Sequence, residues 1–485
     1  MEKKEFNKLL DQMESDLSKQ GLSRRDVLKL GTLGSALLMA NSASAATTVE
    51  ASSAKGKIVI IGGGSAGITV AAQLANSLSS PDITIVAPND IHLYQPGQTL
   101  VAGGLLKEAD LQDNNANYIP SGVKWVKAKV SEFDPDNNNV VTDSGEKIDY
   151  DFLVVATGLE YNYEAIDGLS KDIIGTNGIA SIYLNDLDKG TCSGATKAWE
   201  QLQDFAKLAE KQKVNGLFSH PNTPIKCGGA PKKIMYLTED YLRKQSETAR
   251  ANATLTFLPN GGKMFGVADY HDAIVKQFEA RDMKWNYKHN LVKVDSEKKE
   301  ATFAHTYKVK GDWDPDLEEY NEITKVDEIA MPFDFLHVTP PMKAPEVVKN
   351  SPLSWKKGSA AKGGWVELNK HTLQHTRFPN VFGLGDVAGI PMGKTGGSVR
   401  KQSPVVTQNI ISAMEGKELT AKYEGYTVCP LITGFGTVML AEFDYSKEPK
   451  PTLPLDPTVE RWLWWVFKVY MLKPMYFHGM LRGRA

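Results

Sequence analysis

Two of the three cysteines in this 485-residue chain sit where an apolar packing residue would not be expected. Cys227 lies in Asn-Thr-Pro-Ile-Lys-Cys-Gly-Gly-Ala-Pro-Lys-Lys (222–233), between a short apolar run, Gly216 to Phe218, and a helix-like segment, Ile234 to Arg243. Cys429 lies in Gly-Tyr-Thr-Val-Cys-Pro-Leu-Ile-Thr-Gly-Phe (425–435). Proline and glycine beside each thiol give a turn-like setting, unlike the surroundings of a buried filler cysteine. Lys226, Lys232 and a helix N-terminus just after Cys227 would lower the pKa of its thiol. A thiolate there is a nucleophile and a donor of two electrons, and a disulfide between two such cysteines is an electrophile for a small thiolate. The spacing does not show that Cys227 and Cys429 meet. The third cysteine, Cys192, lies in Gly-Thr-Cys-Ser-Gly-Ala and reads as either structural or auxiliary.

The elements that must position these residues begin at Lys57 to Ile61 (KIVII), an apolar run with the look of a fully buried strand. Gly62-Gly63-Gly64-Ser65-Ala66-Gly67 follows, then a helix over Ile68 to Leu78 and a second strand over Ile83 to Val86. That makes a β-turn-α-β unit around G-x-G-x-x-G, the pattern of a dinucleotide site. Glycines permit the tight turn and close backbone approach, while the helix N-terminus offers N–H groups and positive dipole to a pyrophosphate. The acidic residue expected after the second strand is replaced by Ala87, leaving Asn89 or Asp90 as candidates for the ribose hydroxyls.

Two later stretches separate NAD from FAD. Asp151 to Gly158 is a buried strand ending in Ala-Thr157-Gly158, and Asn380 to Asp386 is a strand ending in Gly-Leu-Gly385-Asp386. Both resemble signatures of flavoproteins with two dinucleotide-binding domains, and the resemblance implies non-covalent FAD with Asp386 on its ribityl chain. The expected fold class is α/β: an FAD domain (56–165 and 370–425) into which a second Rossmann-like domain (166–369) is inserted, followed by a C-terminal region (426–485). Relatives that use NAD(P)H carry a second glycine motif in the inserted domain. This chain has none, and the Cys227 stretch stands about where it should lie, so its electrons are expected from another source.

The chain thereby resembles the sulfide:quinone oxidoreductases, in the branch that includes the mitochondrial enzyme. The matching stretches are NTPIKCGGAPKKIMYL, LHVTPPM (336–342), TLQHTRFPNVFGLGD (372–386) and YEGYTVCPLITGFGTVMLAEFDY (423–445). The resemblance implies that Cys227 faces and attacks the flavin and that Cys429 accepts the sulfane sulfur as a persulfide. It also implies a disulfide or trisulfide between them at rest. Sulfide, a membrane quinone and a sulfur acceptor (a thiol, sulfite or more sulfide) are the implied partners. The Tyr94-Gln95-Pro96 stretch resembles a loop that lies over the flavin. Lys394 could set a cation at the flavin N1/C2 carbonyl edge, and Phe435 is a candidate for the quinone lining. His337 and His375 read as structural, and no metal site is expected.

The two ends of the chain bear on location. Ser23-Arg24-Arg25-Asp26-Val27-Leu28-Lys29, an apolar stretch over Leu30 to Ala40, and Ala43-Ser44-Ala45 make a twin-arginine export signal (1–45). The expected place of work is the periplasmic face of the cytoplasmic membrane. Arg461 to Lys473 and Met475 to Arg482 are dense in aromatics with cations nearby, the character of amphipathic helices at a membrane surface, and too short to span. A net charge of −2 gives no case for nucleic acid, and the sequence leaves homo-oligomer formation open. Two rivals share much of this pattern. The flavin subunit of a flavocytochrome c sulfide dehydrogenase would need a cysteine within 87–104, and none is there. A type II NADH dehydrogenase would need the missing glycine motif. A flavin-bearing interaction protein would not require two cysteine motifs.

Overall fold

The computed structural model describes residues 51–314, 316 and 318–484, so the expected export signal (1–45) lies outside the described residues. Strand β1 (Lys57–Ile61) runs through the glycine turn into helix α1 (Ser65–Ser77), and β2 (Asp82–Val86), β3 (Lys124–Val126) and β4 (Phe152–Val155) follow. Every β1 residue after Lys57 is buried, as a parallel strand covered on both faces must be. The chain then builds a second sheet from β5 (Ile179–Ala180) onward. Helix α2 (Ser193–Ala209), β6 (Val214–His220), α3 (Ala230–Gln245), β7 (Ala253–Pro259) and β8 (Lys284–Trp285) follow in turn. Strands β9 (His289–Asp295), β10 (Glu300–Asp314) and β11 (Glu319–Pro332) form a separate antiparallel sheet before β12 (Phe335–His337) rejoins the second one. Strand β13 (Val381–Gly383) then returns to β4, with Val381 opposite Leu153.

The first sheet has the order β13-β4-β1-β2-β3 and the second β5-β12-β6-β7-β8. All pairings within both are parallel. These are the two Rossmann-like sheets of the expected α/β class. Helix α4 (Gly396–Met414) packs against α1. After α4 come β14 (Thr427–Gly434) and β15 (Thr437–Phe443), a hairpin in which Cys429 stands opposite Ala441. Strand β14 lies on α3, so the hairpin bears on the helix that follows the Cys227 turn.

The aromatic tail forms one irregular helical segment over 462–482, interrupted by π-turns at Phe467–Met471 and Met475–Gly479. Much of it faces protein. Trp464, Trp465, Tyr476, Phe477, Met480 and Leu481 are buried, the first pair against β15 and the rest in the core around α1. Trp462, Leu463, Phe467, Val469, Tyr470 and Met471 remain partly accessible. Among the described residues no helix is long and apolar enough to cross a membrane.

Candidate functional site

In each sheet a βα turn sits at the end of a central strand. The first turn joins β1 to α1. Gly62 adopts φ +121°, and a Cβ there would lie 2.3 Å from the Ala156 carbonyl oxygen. At Gly67 a Cβ would come within 1.9 Å of the Gly62 oxygen, so that glycine lets α1 close onto the strand. Above Gly64 there is open space. The start of α1 has no side-chain cap and no acidic residue in its first turn, which leaves its N–H groups for a ligand. Nearby, the buried Thr157 hydroxyl has no hydrogen-bond partner among the described residues, and Gly158 and Gly385 adopt φ of +74° and +75°. An uncapped helix, an open glycine and an orphaned hydroxyl fit a dinucleotide such as FAD.

The two ribose candidates are engaged elsewhere. Asn89 Nδ2 donates to the carbonyls of Gly63 (3.4 Å) and Ile91 (3.2 Å), bracing the glycine turn. Asp90 is ion-paired with Lys127 at the surface. A buried chain that sequence reasoning missed supports the same turn. Asn115 Nδ2 donates to Gly63 O (3.2 Å), and its Oδ1 faces His92 Nδ1 at 2.9 Å. His92 Nε2 lies 2.6 Å from the Tyr476 hydroxyl. Since Asn115 uses its amide on carbonyls, its Oδ1 must accept, so His92 carries its proton on Nδ1 and accepts from Tyr476. Burial, which outweighs the Asn115 bond, lowers the His92 pKa to about 4 and keeps the ring neutral. The C-terminal tail is thereby tied to the glycine turn.

The second turn joins β6 to α3 and carries Cys227 at φ +49°, a left-handed conformation uncommon for a side-chain-bearing residue. Its N–H donates to Lys394 O (3.0 Å) and its carbonyl accepts from Ala230 N (2.7 Å). Gly229 gives room for the second sulfur, since a Cβ there would lie 2.5 Å from Cys429 Sγ. The structure therefore brings Cys227 and Cys429 together although about two hundred residues separate them in sequence. Both are free thiols here. The Cys429 thiol donates to Cys227, which lowers the Cys227 pKa well below the ordinary value and raises that of Cys429. Lys233 Nζ, 3.3 Å from Cys227 Sγ, favours the same thiolate.

The lysines differ from the sequence expectation. Lys226 turns to Gln95 and lies 4.9 Å from the Tyr161 ring, and Lys232 donates to Gly228 O and stands over Phe257. Successive helical residues point about 100° apart, so when Lys232 faces the sheet its neighbour Lys233 faces the sulfurs. Burial is the largest influence on Lys233 and tends to discharge it, but the charges and hydrogen bonds of the two sulfurs together outweigh it and its pKa is raised. Lys468 arrives from the tail, donates to Pro96 O (2.7 Å) and is buried close enough to feel both sulfurs. Burial and repulsion from Lys233 bring its pKa down to about 7. Its signal in sequence was spacing: it follows the buried Trp464 by one helical turn, on the same face.

Lys394 does not project toward the sulfurs. Its ammonium donates to the carbonyls of Asp386 and Ala388 and lies 3.7 Å from the Trp365 ring centroid, while its own carbonyl holds Cys227. It ties the Asp386 turn to the cysteine turn. Burial raises the Asp386 pKa against the opposing charges of Lys226 and Lys394. Phe435 sits at the tip of the β14–β15 hairpin against Trp465, with Lys244 4.8 Å over its ring. Cys192 is fully buried in a separate core cluster at the start of α2, its N–H donating to Glu108 Oε1 (2.7 Å). Burial pushes its thiol up to about 12, which leaves it unreactive. His337 and His375 are buried on backbone partners, Ile182 N and Leu353 O. Among the described residues no cluster of ligands could hold a metal.

Comparison with known proteins joins these observations to a lineage. Residues 56–189 match the pyridine nucleotide-disulphide oxidoreductase family. The chain is 39% identical over 428 residues to the mitochondrial sulfide:quinone oxidoreductase of Mus musculus, covering 88% of this chain and 86% of that one. It is 38% identical to the corresponding protein of Dictyostelium discoideum, over the same shares of the two chains. The solved sulfide:quinone oxidoreductase of the hyperthermophilic bacterium Aquifex aeolicus superposes with a TM-score of 0.66 at 20% identity, covering 87% of this chain and 92% of that one, which speaks to the fold.

Proposed function

This chain belongs to the sulfide:quinone oxidoreductase family, and from that premise we propose how its residues divide the work. It is an FAD-dependent enzyme that oxidises sulfide and reduces a quinone. The observation that carries the residue assignment is the meeting of Cys227 and Cys429 across Gly229, beside Lys233. With the pair oxidised, HS⁻ bonds to Cys429 Sγ as the bond to Cys227 breaks. Cys227 leaves as a thiolate and Cys429 keeps the incoming sulfur as a persulfide. Lys233, charged and held 3.3 Å from Cys227, stabilises the leaving thiolate. The persulfide sulfur then passes to a nucleophilic acceptor (a thiol, sulfite or sulfide), and Cys429 is freed. FAD, when bound, supplies the two-electron acceptor that returns the thiols to the oxidised pair and hands the electrons to quinone. Gly62, Gly64, Ser65, Ala66, Gly67, Thr157, Gly158, Gly385 and Asp386 would hold it, and Gln95 and Lys394 brace the loops around it.

The alternatives are disfavoured. At the position where an NADH-using relative needs a glycine turn, this chain has the left-handed Cys227 and buried lysines. Anaerobic addition of sulfide, and separately of NADH, to the purified enzyme tests the assignment. Sulfide should bleach the flavin and drive decylubiquinone reduction, and NADH should do neither. Bleaching by NADH alone would overturn it.

Location and quinone access belong to the same proposal. The accessible tail residues Trp462, Leu463, Phe467 and Tyr470 would rest on the membrane surface, with Phe435 near the quinone entry. Export by the twin-arginine route would set that surface on the periplasmic face. Cell fractionation of an Arg24→Lys, Arg25→Lys variant checks this: retention in the cytoplasm is expected, and unchanged export would rule the route out.

A further inference from the structure

The β10–β11 ribbon takes no part in either turn, and its outer strand is unusual. Strand β11 has 14 residues and is the edge of its sheet. Every residue from Glu319 to Ala330 is exposed, including Tyr320, Ile323 (47%), Val326 (58%) and Ile329 (37%). An edge that long offers a row of backbone donors and acceptors to another strand. Natural edges are commonly blunted by proline, bulges or charged side chains; over 319–331 β11 has no proline, its ladder to β10 shifts only between Lys310 and Trp313, and its charges include Lys325 and Asp327, of opposite sign on either side of Val326.

We infer that the free edge of β11 pairs antiparallel with β11 of a second copy of this chain, on a two-fold axis through Val326. A two-fold axis perpendicular to a sheet keeps each side chain on its own face. Only residues of like parity can then meet, and the axis must pass through a residue rather than between two. An axis through Lys325 sets that lysine against itself and Glu322 against Glu328. An axis through Asp327 or Glu328 sets a carboxylate against itself, and one through Ile323 opposes Glu319 to Asp327. With the axis at Thr324, Ile323 faces Lys325 and Glu322 faces Val326. Of these registers, only the axis through Val326 sets opposite charges together and apolar residues together. Lys325 meets Asp327 twice, Ile323 meets Ile329 twice, and Val326 meets its own copy, with Thr324 opposite Glu328 and Glu322 opposite Ala330. Within the chain, Ile323 and Ile329 lie beside Val309 and Phe303 of β10, so the apolar contacts continue across the ribbon. The Tyr307 hydroxyl donates to Asp327 Oδ2 (2.8 Å), which holds that carboxylate in place.

One paired edge buries less than the about 1,600 Å² of a standard interface, so the dimer should dissociate in the micromolar range. The test is light scattering on the FAD-loaded full chain across that range. Lys325→Asp creates two like-charge pairs by symmetry, and so does Asp327→Lys; each should weaken the dimer about tenfold. The double exchange K325D/D327K should restore it. In a second measurement, Val326→Cys should form a disulfide-linked dimer under mild oxidation, because the paired Cα atoms stand about 5 Å apart. Thr324→Cys should not, since its mate is residue 328. A wild-type chain that stays monomeric throughout, or a dimer indifferent to either single exchange, overturns the inference. So does a monomer whose binding to anionic lipid vesicles falls in Val326→Lys, which would make the ribbon a lipid contact.

Discussion

The turn after β1 and the turn after β6 occupy equivalent places in two parallel sheets, yet they are built from opposite chemistry. Both open onto a helix with no side-chain cap and no acidic residue in its first turn, but the first is lined by glycines, with space left open over Gly64. The second fills the same place with a thiol in a left-handed conformation and surrounds it with lysines that burial would otherwise exclude. A parallel sheet concentrates ligand sites at the ends of its strands whatever the ligand. Here one turn suits a phosphate, which needs free N–H groups and room. The other suits a thiolate, which needs a nearby cation and a second sulfur. Fold position says where chemistry can occur, and turn composition says which chemistry.

Breaking the second turn should have the largest effect. Cys227→Ser or Cys429→Ser removes one half of the sulfur pair, and sulfide-driven quinone reduction should fall by about three orders of magnitude or more. Flavin content and absorbance should remain those of the parent, because the first turn is untouched. Loss of flavin along with activity would mean that the two turns are not independent. Breaking the first turn has a different signature. Gly67→Ala drives a Cβ into the Gly62 carbonyl and should destabilise the protein by about 1–3 kcal/mol, the usual cost of overpacking. Gly64→Ala meets nothing within 4 Å, so the flavin-free protein should keep its melting temperature and bind FAD more weakly. Equal thermal losses in both variants would erase the distinction between a packing glycine and a ligand glycine.

Lys233→Gln sharpens the comparison by leaving both sulfurs and removing the adjacent cation. Cys227 is an acid whose pKa is held down first by the Cys429 thiol and then by Lys233. Removing positive charge destabilises the thiolate, so its pKa rises and less of it exists at any given lower pH. Cys227 exists as a thiolate only after sulfide has opened the bridge, so the acid limb of the kcat profile should move to higher pH. If the shift is about one unit, the loss is about tenfold on that limb and vanishes at alkaline pH. Alkylation of reduced enzyme by iodoacetamide, followed against pH, reads the same thiolate without turnover. A uniform loss at all pH values would assign Lys233 to substrate binding instead.

The first turn was readable in the sequence because its requirements are local. Apolar strand, glycine spacing and helix lie within some twenty residues, and the KIVII run, the Ala-Thr-Gly strand end and the Gly-Leu-Gly-Asp strand end led to a two-sheet α/β fold. The second turn depends on contacts distant along the chain. Lys233 rather than Lys226 or Lys232 reaches Cys227, because helix phase decides which of two adjacent lysines faces inward. Lys468 and Tyr476 reach the two turns from a tail whose aromatics look superficial in one dimension. The same rings that would suit a membrane surface also suit a protein core, and composition could not divide Trp464 and Phe477, which are buried, from Trp462 and Phe467, which are partly accessible.

Cys192 supplies the control, a third thiol in neither turn, and changing it should do least. It is fully buried, with its thiol pushed up to about 12 first by burial and then by Glu108. A thiol held protonated at physiological pH is neither a nucleophile nor a competent leaving group. Cys192→Ala removes only one sulfur atom from the α2 start, and the Glu108 contact survives because it is made to the backbone N–H. The expected result is a loss of about 1 kcal/mol in stability or less, from the small void, with sulfide-driven quinone reduction and its pH profile unchanged. Slow alkylation of Cys192 in the folded enzyme, against rapid alkylation of Cys227, would show that burial separates the two thiols. A fall in turnover without a fall in stability would place Cys192 in the sulfur path and make position in a turn an incomplete guide to which cysteine reacts.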